Sequence, residues 1–425
     1  MTAITRSVPR EPLPADLRAT AIERWGHLNA VVAMTDETPA GEGVLGGSTV
    51  AAKDVFFDRD RTPTCGSHAM PTSGAGPAAA LERLRRAGAS VSLYANLHEW
   101  GVGTTSAVTA LGAIGNPRDP ARMAGGSSGG CAVAVATGMT DLAVGADAGG
   151  SIRVPAACCG VVGFKPTFGA VPLAGSAFGD LSVDHVGPLA RSVAAARQAF
   201  EVMAEIHVEE VDAGIRVGIE DPFFWTRSST AVAAAAARAA EALENAGAST
   251  VPVSISGLDR AASAIGSLLL PDVRRAAGAD SEDRRALLQP ATRRLLDRVA
   301  ALTETDIATA REVATEVAAG FDRLFDEVDI LVTPTIPVVP PPIEAPIVTL
   351  GDGDMHADLA FITWNCPMDL AGLPSLSLPC GEVDGWPVSV SLTGRKGSDA
   401  LVLAVGIALE DALDRAYVDR IVTND

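Results

Sequence analysis

The sequence is poor in several features that mark particular classes of protein. Aromatic residues make up only 4% of the 425 residues, and no apolar run approaches the roughly eighteen residues of a membrane span. The first twenty residues lack the apolar segment of a secretory signal peptide, so we expect a cytoplasmic protein. The six cysteines form no Cys-x-x-Cys pair, which disfavours a disulfide framework or a zinc site and predicts buried thiols.

Positive charge is also scarce. The chain has 33 basic and 52 acidic residues, and its net charge of −19 would repel phosphate backbones and anionic lipid surfaces. We therefore expect neither nucleic acid nor a membrane surface as a partner. Lysine is rarer still, because Lys53, Lys165 and Lys396 are the only lysines among these basic residues. A lysine kept where arginine is the rule calls for a specific chemical reason.

Apolar residues and glycines are abundant, at 48% of the chain and 42 glycines, and they predict a large core with closely packed elements. Apolar strand-like runs alternate with helix-like stretches, for example a strand near 48–55, a helix over 77–88 and a strand over 89–97. Residues 230–330 have helical periodicity. This alternation predicts an α/β fold in which a sheet is layered with helices. Since no low-complexity linker divides it, the chain is interpreted as one domain.

Two short glycine nests that contain serine lie close together, at Gly125–Gly130 and at Ala148–Ser151. Glycine lets the backbone approach a ligand closely, and successive N–H groups in such a turn point into one concavity. A concavity of this kind binds a phosphate or stabilises an oxyanion. The first nest begins a helix-like run, and the second follows a strand-like run.

Three interpretations of the nests compete. A phosphate cradle lacks its lysine, because neither nest continues into Gly-Lys-Ser/Thr. Tight helix-on-sheet packing explains the glycines but leaves Ser127, Ser128 and Ser151 unexplained. The third interpretation is a serine hydrolase, since residues 125–129 match Gly-x-Ser-x-Gly with Ser127 as the nucleophile of an α/β-hydrolase. Such an enzyme needs a histidine base, and the candidates are His27, His68, His98, His185, His207 and His356.

A lysine base is the alternative to histidine. Lys53 lies in the apolar strand-like run Thr49–Phe57. A buried ammonium without a partner loses its proton readily, because burial lowers the pKa of lysine, and a neutral amine is a competent base. A lysine that snorkels from a strand edge is the structural alternative.

Taken together, these residues resemble the amidase signature family. The resemblance rests on GGSSGG at Gly125–Gly130, on ADAGGSIRVPAACCGVVGFKPT at Ala146–Thr167, and on the lysine about seventy residues earlier. Further family-like phrases are Asn96–Ser106, Asp184–Val193 and Met368–Gly381. The likeness covers roughly residues 45–206 and 329–410, whereas the helical stretch 207–328 has no match.

The resemblance implies a Ser–cis-Ser–Lys triad. Ser151 corresponds to the nucleophile, Ser127 to the serine that follows a cis peptide bond, and Lys53 to the base. The N–H groups expected to hold the oxyanion belong to Ala148, Gly149, Gly150 and Ser151. Supporting roles are expected for Ser128, Asp147 and Arg153, and Lys165 is placed with them. For Arg153 the alternative role is to bind a substrate carboxylate.

The implied fold is a large mixed β-sheet with helices on both faces, built from one domain over residues 1–425. Its expected parts are a leading helical segment (1–44), the catalytic core (45–206), a variable helical region (207–328) and a C-terminal part that completes the sheet and pocket (329–425). No cofactor and no metal are expected. Asp352–Asp358 is interpreted as a solvated loop, because its carboxylates and histidine lack metal-ligand spacing.

The implied function is an amidohydrolase that acts through an acyl-enzyme and releases ammonia or an amine from a small-molecule amide. Small, polar primary amides are the favoured substrates. The first alternative is the ammonia-producing A subunit of a glutamine amidotransferase, which works for a partner and for which the chain looks short. An esterase of the α/β-hydrolase type, with Ser127 as nucleophile, is the second. A homodimer is common among the proteins that the chain resembles.

Overall fold

The computed structural model describes residues 11–72, 74, 76–179, 183–208 and 214–413. Alternating apolar residues and β-branched side chains produce thirteen strands within these ranges. The strands are β1 Val31–Met34, β2 Thr49–Lys53, β3 Ser90–Ala95, β4 Leu142–Asp147, β5 Val162–Lys165, β6 His185–Ala190, β7 Arg216–Ile219, β8 Ser249–Pro252, β9 Ile330–Pro334, β10 Ile347–Leu350, β11 Gly353–His356, β12 Ser375–Val383 and β13 Trp386–Gly394.

Twelve α-helices of the described residues lie before, between and after these strands. They are α1 Ala15–Trp25, α2 Ala79–Arg86, α3 Gly129–Ala136, α4 Arg153–Cys159, α5 Val193–Ala204, α6 Thr230–Asn245, α7 Leu258–Ala276, α8 Glu282–Ala286, α9 Pro290–Val299, α10 Glu304–Glu327, α11 Ala357–Leu370 and α12 Asp399–Ala412. The longest, α10, begins with a capping box between Thr303 and Asp306, which satisfies two of its free backbone donors.

Eleven strands form one mixed sheet in the order β1-β3-β2-β4-β6-β5-β12-β13-β9-β7-β8. Strand β2 pairs in parallel with β3 and β4, and β7 pairs in parallel with β8 and β9. The strands between these two groups pair antiparallel. The predicted fold class, an α/β fold with a large mixed sheet, is confirmed.

Side chains of β2 show that both faces of the sheet are covered. Val50 and Ala52 belong to one buried apolar cluster, whereas Ala51 belongs to a second cluster that includes α3. Successive side chains of a strand point to opposite faces, so two clusters on one strand require apolar packing on each side. Every residue of β2 is buried, which makes its C-terminal end a protected place for a polar side chain.

The stretch 207–328 is largely helical, as expected, but it also gives β7 and β8 to the main sheet. Helix α7 packs against α9, α10 and α11, which places this helical lobe beside the carboxyl-terminal part of the chain. In the described ranges, no helix combines the length and apolar character that crossing a membrane requires.

Candidate active site

Lys53 is the last residue of β2, and its side chain is buried at 1% exposure. Its Nζ donates a hydrogen bond to Ser127 Oγ at 2.7 Å and another to the carbonyl oxygen of Ala146 at 3.1 Å. Strand β4 carries Ala146 and lies directly beside β2. The sheet therefore holds the amine against the first serine nest.

The first nest leads into α3, which begins at Gly129. The peptide bond between Gly126 and Ser127 is cis, and Ser127 is buried at 1% exposure. A Cβ atom at Gly130 would lie 2.4 Å from the carbonyl oxygen of Asn96, so only glycine fits this close approach. The Ser128 hydroxyl donates to Ala146 O at 3.3 Å, which attaches the nest to β4.

The second nest follows β4 and leads into α4. Gly150 has a φ of +110°, and a Cβ atom there would lie 2.6 Å from Asn365 Cβ, so both the conformation and the space require glycine. The N–H of Ser128 donates to the carbonyl oxygen of Ser151 at 3.1 Å. This hydrogen bond joins the two nests that the sequence places about twenty residues apart.

Lys53, Ser127 and Ser151 line one small cavity of about 20 Å³, together with Asp184 and Trp100. A cavity of this size holds about one water molecule. In the described part of the chain, the hydroxyls of Ser127 and Ser151 share this cavity without a direct hydrogen bond between them. The structure thus brings the three residues expected to form the triad to one place.

Burial lowers the pKa of Lys53 below its ordinary value. The negative charges of Asp184 and Asp147 oppose this change but do not reverse it. The lowered pKa favours the neutral amine of Lys53, because a charged ammonium would lose hydration that the apolar surroundings do not replace. A neutral Lys53 has a lone pair that accepts a proton.

The backbone N–H groups of the second nest differ from one another. Those of Ala148, Gly149 and Ser151 have no acceptor among the described residues, so they are free to bind an oxyanion. Gly150 is a correction to the predicted set, because its N–H donates to Asp147 Oδ1 at 2.6 Å. An N–H already bonded to a carboxylate is a support of the loop rather than a free donor.

Asp147 and Arg153 form the framework beneath this loop, and both are fully buried. Arg153 Nε lies 3.0 Å from Asp147 Oδ2, and its Nη2 donates to Asp369 Oδ2 at 2.7 Å. Burial alone would raise the pKa of Asp147, but the guanidinium of Arg153 holds it below its usual range. A guanidinium with two carboxylate partners and no exposed surface does not suit the alternative role of binding a substrate carboxylate.

Sequence reasoning missed two partners of this framework, Asp369 and Asn365. Asn365 O accepts a hydrogen bond from Arg153 Nη1 at 3.1 Å. Lys165, which the sequence placed among the supports, donates to the carbonyl oxygens of Pro166 and Leu373, and burial lowers its pKa to about 8. Asp369 lies within the family-like phrase Met368–Gly381, so the sequence did indicate its position. Nothing in the sequence indicated that Asp369 pairs with Arg153.

A second, larger cavity of about 640 Å³ opens beside Ser151. This volume lies within the range of ligand-binding pockets. Helices α7, α9 and α11 supply much of its wall, which is mostly apolar, through Ile265, Leu269, Leu270, Leu295, Leu359 and Ile362. Arg294 and Arg298 of α9 also line it. Most of these helical side chains lie in a region that the sequence could not match to the family.

The stretch Asp352–Asp358 is largely exposed, as expected, but the prediction that it forms a loop was wrong. Residues of this stretch form β11 and the start of α11, because β11 pairs with β10 in a hairpin. His356 caps α11, and both His356 and Asp358 line the larger cavity. Asp358 also accepts hydrogen bonds from the N–H and hydroxyl of Thr104, so its carboxylate orders the cavity wall.

Glu99 connects the larger cavity's helical wall to the loop after β3. Its buried carboxylate accepts hydrogen bonds from Ser67 Oγ at 2.6 Å and from the N–H of Gln289 at 2.9 Å. Gln289 precedes the first residue of α9, where the helix has free N–H groups. Burial raises the pKa of Glu99. The contact fixes the start of α9 against the core.

The contact between a histidine and these serines is made by the backbone, because the N–H of His98 donates to the carbonyl oxygen of Ser127 at 3.0 Å. No imidazole of the described residues hydrogen-bonds to the hydroxyl of Ser127 or Ser151. His98 lines the larger cavity, but its Nδ1 lies 3.5 Å from Thr105 Oγ1, and burial lowers its pKa. The esterase alternative, with Ser127 as nucleophile and a histidine base, therefore lacks its base. The described residues also contain no group of His, Cys, Asp and Glu side chains suited to holding a metal ion.

Comparison with known proteins gives a consistent result. The family model described as Amidase matches residues 20–403. The chain is similar to the A subunit of glutamyl-tRNA(Gln) amidotransferase from Methanospirillum hungatei JF-1, at 32% identity over 90% of this chain and 96% of that protein. It is also similar to the protein of the same name from Natronomonas pharaonis, at 34% identity over 88% of this chain and 98% of that one.

A solved structure described as an amidase superposes with a TM-score of 0.88, at 32% identity, and the match covers 94% of this chain and 95% of the other. The near-complete coverage of the two amidotransferase relatives also corrects an expectation. The present chain is not short for that role, because it spans almost their whole length.

Proposed function

The chain belongs to the amidase signature family, and from that premise we propose that it hydrolyses an amide through an acyl-enzyme on Ser151. Family membership establishes an enzyme that acts on carbon–nitrogen bonds. The main support for an acyl-enzyme on Ser151 is the 2.7 Å hydrogen bond from Lys53 Nζ to Ser127 Oγ, in a cavity that Ser151 also lines.

The proposed proton path runs from Ser151 through Ser127 to Lys53. Neutral Lys53 accepts the Ser127 hydroxyl proton while Ser127 takes the proton of Ser151, and Ser151 Oγ attacks the amide carbonyl carbon. The tetrahedral intermediate collapses when the carbon–nitrogen bond breaks and the nitrogen receives a proton back along the same path. Water then attacks the ester, its proton follows the path to Lys53, and the carboxylic acid leaves as Ser151 is restored.

The developing negative charge on the carbonyl oxygen requires donors that are already in place. In this proposal the N–H groups of Ala148, Gly149 and Ser151 supply them, since Gly150 is committed to Asp147. Loss of one such donor typically costs about 3 kcal/mol of transition-state stabilisation. The ion pairs of Arg153 with Asp147 and Asp369 support the loop, so the donors need no rearrangement during the reaction.

The larger cavity suggests a class of substrate that differs from the favoured small, polar primary amide. Its volume of about 640 Å³ and its apolar helical wall suit an amide with a bulky apolar group. An acetamide-sized substrate would leave most of that wall without contacts. We therefore propose an apolar acyl or amine portion next to the scissile bond.

The second candidate function is that of a glutamine amidotransferase's A subunit, because the similar curated proteins bear that name. Such a protein would release ammonia from glutamine and depend on further subunits. Ammonia release from glutamine that rises when partner subunits are added would favour it. Hydrolysis of an apolar amide by the purified chain alone would favour the amidohydrolase.

The test of the proposal locates the acyl group. A reactive phosphonate or a slowly hydrolysed ester should label wild-type protein on the peptide that contains Ser151, as read by mass spectrometry of the digested protein. Ser151→Ala should remove both labelling and amide turnover, while the matched Ser128→Ala variant, which alters only a hydrogen bond to Ala146 O, should keep the label. A label on Ser127 would overturn the assignment.

A further inference from the structure

Asp184 is a buried carboxylate whose bonding is incomplete. It is 3% exposed and immediately precedes β6. Its Oδ1 accepts a hydrogen bond from the N–H of His185 at 3.1 Å, whereas its Oδ2 is buried without a hydrogen-bond partner in the described part of the chain. Buried polar atoms almost always have a partner, so an unpartnered carboxylate oxygen needs an explanation.

A structural aspartate in the same protein looks different. Asp141 is also buried, and both of its oxygens are bonded: Oδ1 accepts from the N–H of Leu13 at 2.7 Å, and Oδ2 accepts from the N–H and hydroxyl of Thr49. Asp147 is likewise saturated by Arg153 and by backbone donors. Incomplete bonding is therefore not common to all buried aspartates here. Asp369 Oδ1 also lacks a hydrogen-bond partner among the described residues, but the other oxygen of Asp369 is paired with Arg153, and Asp369 does not line the small cavity.

The unpartnered oxygen belongs to a residue that lines the small cavity with Lys53, Ser127 and Ser151. Burial raises the pKa of Asp184 to about 7, even though the positive charge of Lys53 acts in the other direction. In turn, the charge of Asp184 is the strongest of the neighbouring charges that oppose the lowering of the Lys53 pKa by burial. The two groups thus interact across the cavity.

We propose that Asp184 is a positioning residue that acts through Lys53: its carboxylate stabilises the ammonium that forms each time Lys53 accepts the proton from Ser127. This inference rests on the proposed function, because it assigns a partner to the base of that mechanism. The proton remains on Lys53 Nζ until it returns to the leaving amine, so Asp184 neither gains nor loses a proton in the cycle.

The other groups that face Lys53 are less suited to this task. Asp147 is already paired with Arg153. Burial raises the pKa of the Cys131 thiol to about 12 and that of the Cys65 thiol well above its ordinary value, so both are neutral. Burial lowers the pKa of His98, whose imidazole is therefore neutral too. Asp184 is the remaining carboxylate with an uncommitted oxygen among the described groups facing the amine.

The experiment compares Asp184→Asn with the matched variant Asp141→Asn, using the pH profiles of kcat, of kcat/KM and of the rate of phosphonate labelling. Removing the negative charge beside Lys53 should lower the Lys53 pKa, so the acid limb of kcat/KM should move to lower pH by about one unit. The plateau of kcat should fall about tenfold with KM nearly unchanged. Asp141→Asn should lower the unfolding temperature without moving the limb.

Asp184→Glu restores the charge and should restore the acid limb of the wild type, which also covers the case in which the asparagine variant fails to fold. The proposal would be overturned if the acid limb of kcat/KM did not move in Asp184→Asn. It would also be overturned if Asp184→Glu moved this limb as far as Asp184→Asn does. These outcomes are distinct from failure of the proposed function, in which the label would be absent from Ser151 in the wild-type protein itself.

Discussion

The loops that follow β2 and β4 are closely packed, whereas the cavity wall formed by α7 and α9 leaves open space. At the ends of these loops, Lys53 of β2 and Arg153 of α4 are buried and bonded to named partners, and a side chain at Gly150 would collide with Asn365. In the wall, a Cβ at Gly266 of α7 would meet only Leu270 Cδ1, at 3.9 Å. We therefore expect chemistry to depend on the crowded loops and substrate choice to depend on the open wall.

The largest effect should come from the loop side, at Lys53. Lys53→Met removes the proposed base and should lower kcat/KM on the order of a thousandfold. The wild-type kcat/KM should rise with pH along a limb set by the lowered pKa of Lys53. Steady-state kinetics across pH measure both, and the exposed Lys396→Met variant, which lies outside both cavities, is the control. An active Lys53→Met enzyme would show that the chemistry does not depend on this lysine.

The same variant also tests the sign of the pKa change. Because the pKa of Lys53 is lowered in the fold, the unfolded chain binds more protons between that pKa and about 10.4. The wild-type free energy of unfolding should therefore rise with pH across this interval, and Lys53→Met should lack that rise and be no less stable at pH 7. Denaturant titrations at several pH values would show it.

A smaller effect is expected at Gly150. Gly150→Val places a β-branched side chain at a φ of +110° and within 2.6 Å of Asn365 Cβ. We expect a loss of about 1 to 3 kcal/mol of stability from the backbone conformation and a loss of kcat on the order of a hundredfold from the displaced N–H groups. Thermal unfolding and single-turnover kinetics would measure these. Normal values of both would show that the loop is less crowded than its contacts indicate.

The smallest and most selective effect should come from the wall. Gly266→Phe narrows the larger cavity, so kcat/KM for a bulky apolar amide should fall about tenfold while that for an acetamide-sized amide stays unchanged. Gly266→Ala is the control, and it should raise stability by roughly 0.5 to 1 kcal/mol, since alanine favours a helix interior. Equal losses for large and small amides would mean that the wall serves the chemistry rather than the choice of substrate.

The sequence was most informative where residue types were locally unusual. Serines among glycines and a lysine in a chain of arginines indicated Ser127, Ser151 and Lys53 as candidates, and the structure brings the three to one small cavity. Apolar alternation predicted β2 and β4, because strand patterning is a local property. The hydrogen bond from the Gly150 N–H to Asp147 was not predictable, because it depends on the orientation of one peptide group. Of the two carboxylate partners of Arg153, Asp369 lies 216 residues away, and no local pattern encodes such a pairing.

The larger cavity was predicted least well, for the same reason. Its wall combines side chains of α7, α9 and α11, which meet only after the whole sheet is assembled. The start of α11 lies in Asp352–Asp358, where a run of charged residues suggested a loop, but hairpin pairing with β10 decided the outcome. Asp184 lay within a family-like phrase, yet nothing in that phrase showed that one of its oxygens would be left without a partner.

The contact of Glu99 with Gln289 has a consequence for chain entropy. It closes a loop of 190 residues between the core and the start of α9. The entropy cost of closing a loop grows only with the logarithm of its length, so even a doubling adds about 0.6 kcal/mol. Insertions or deletions of whole helical turns between these two residues therefore change the closure cost very little. By this entropy term, the part of the lobe that precedes α9 can change in length while its attachment to the loop after β3 stays the same.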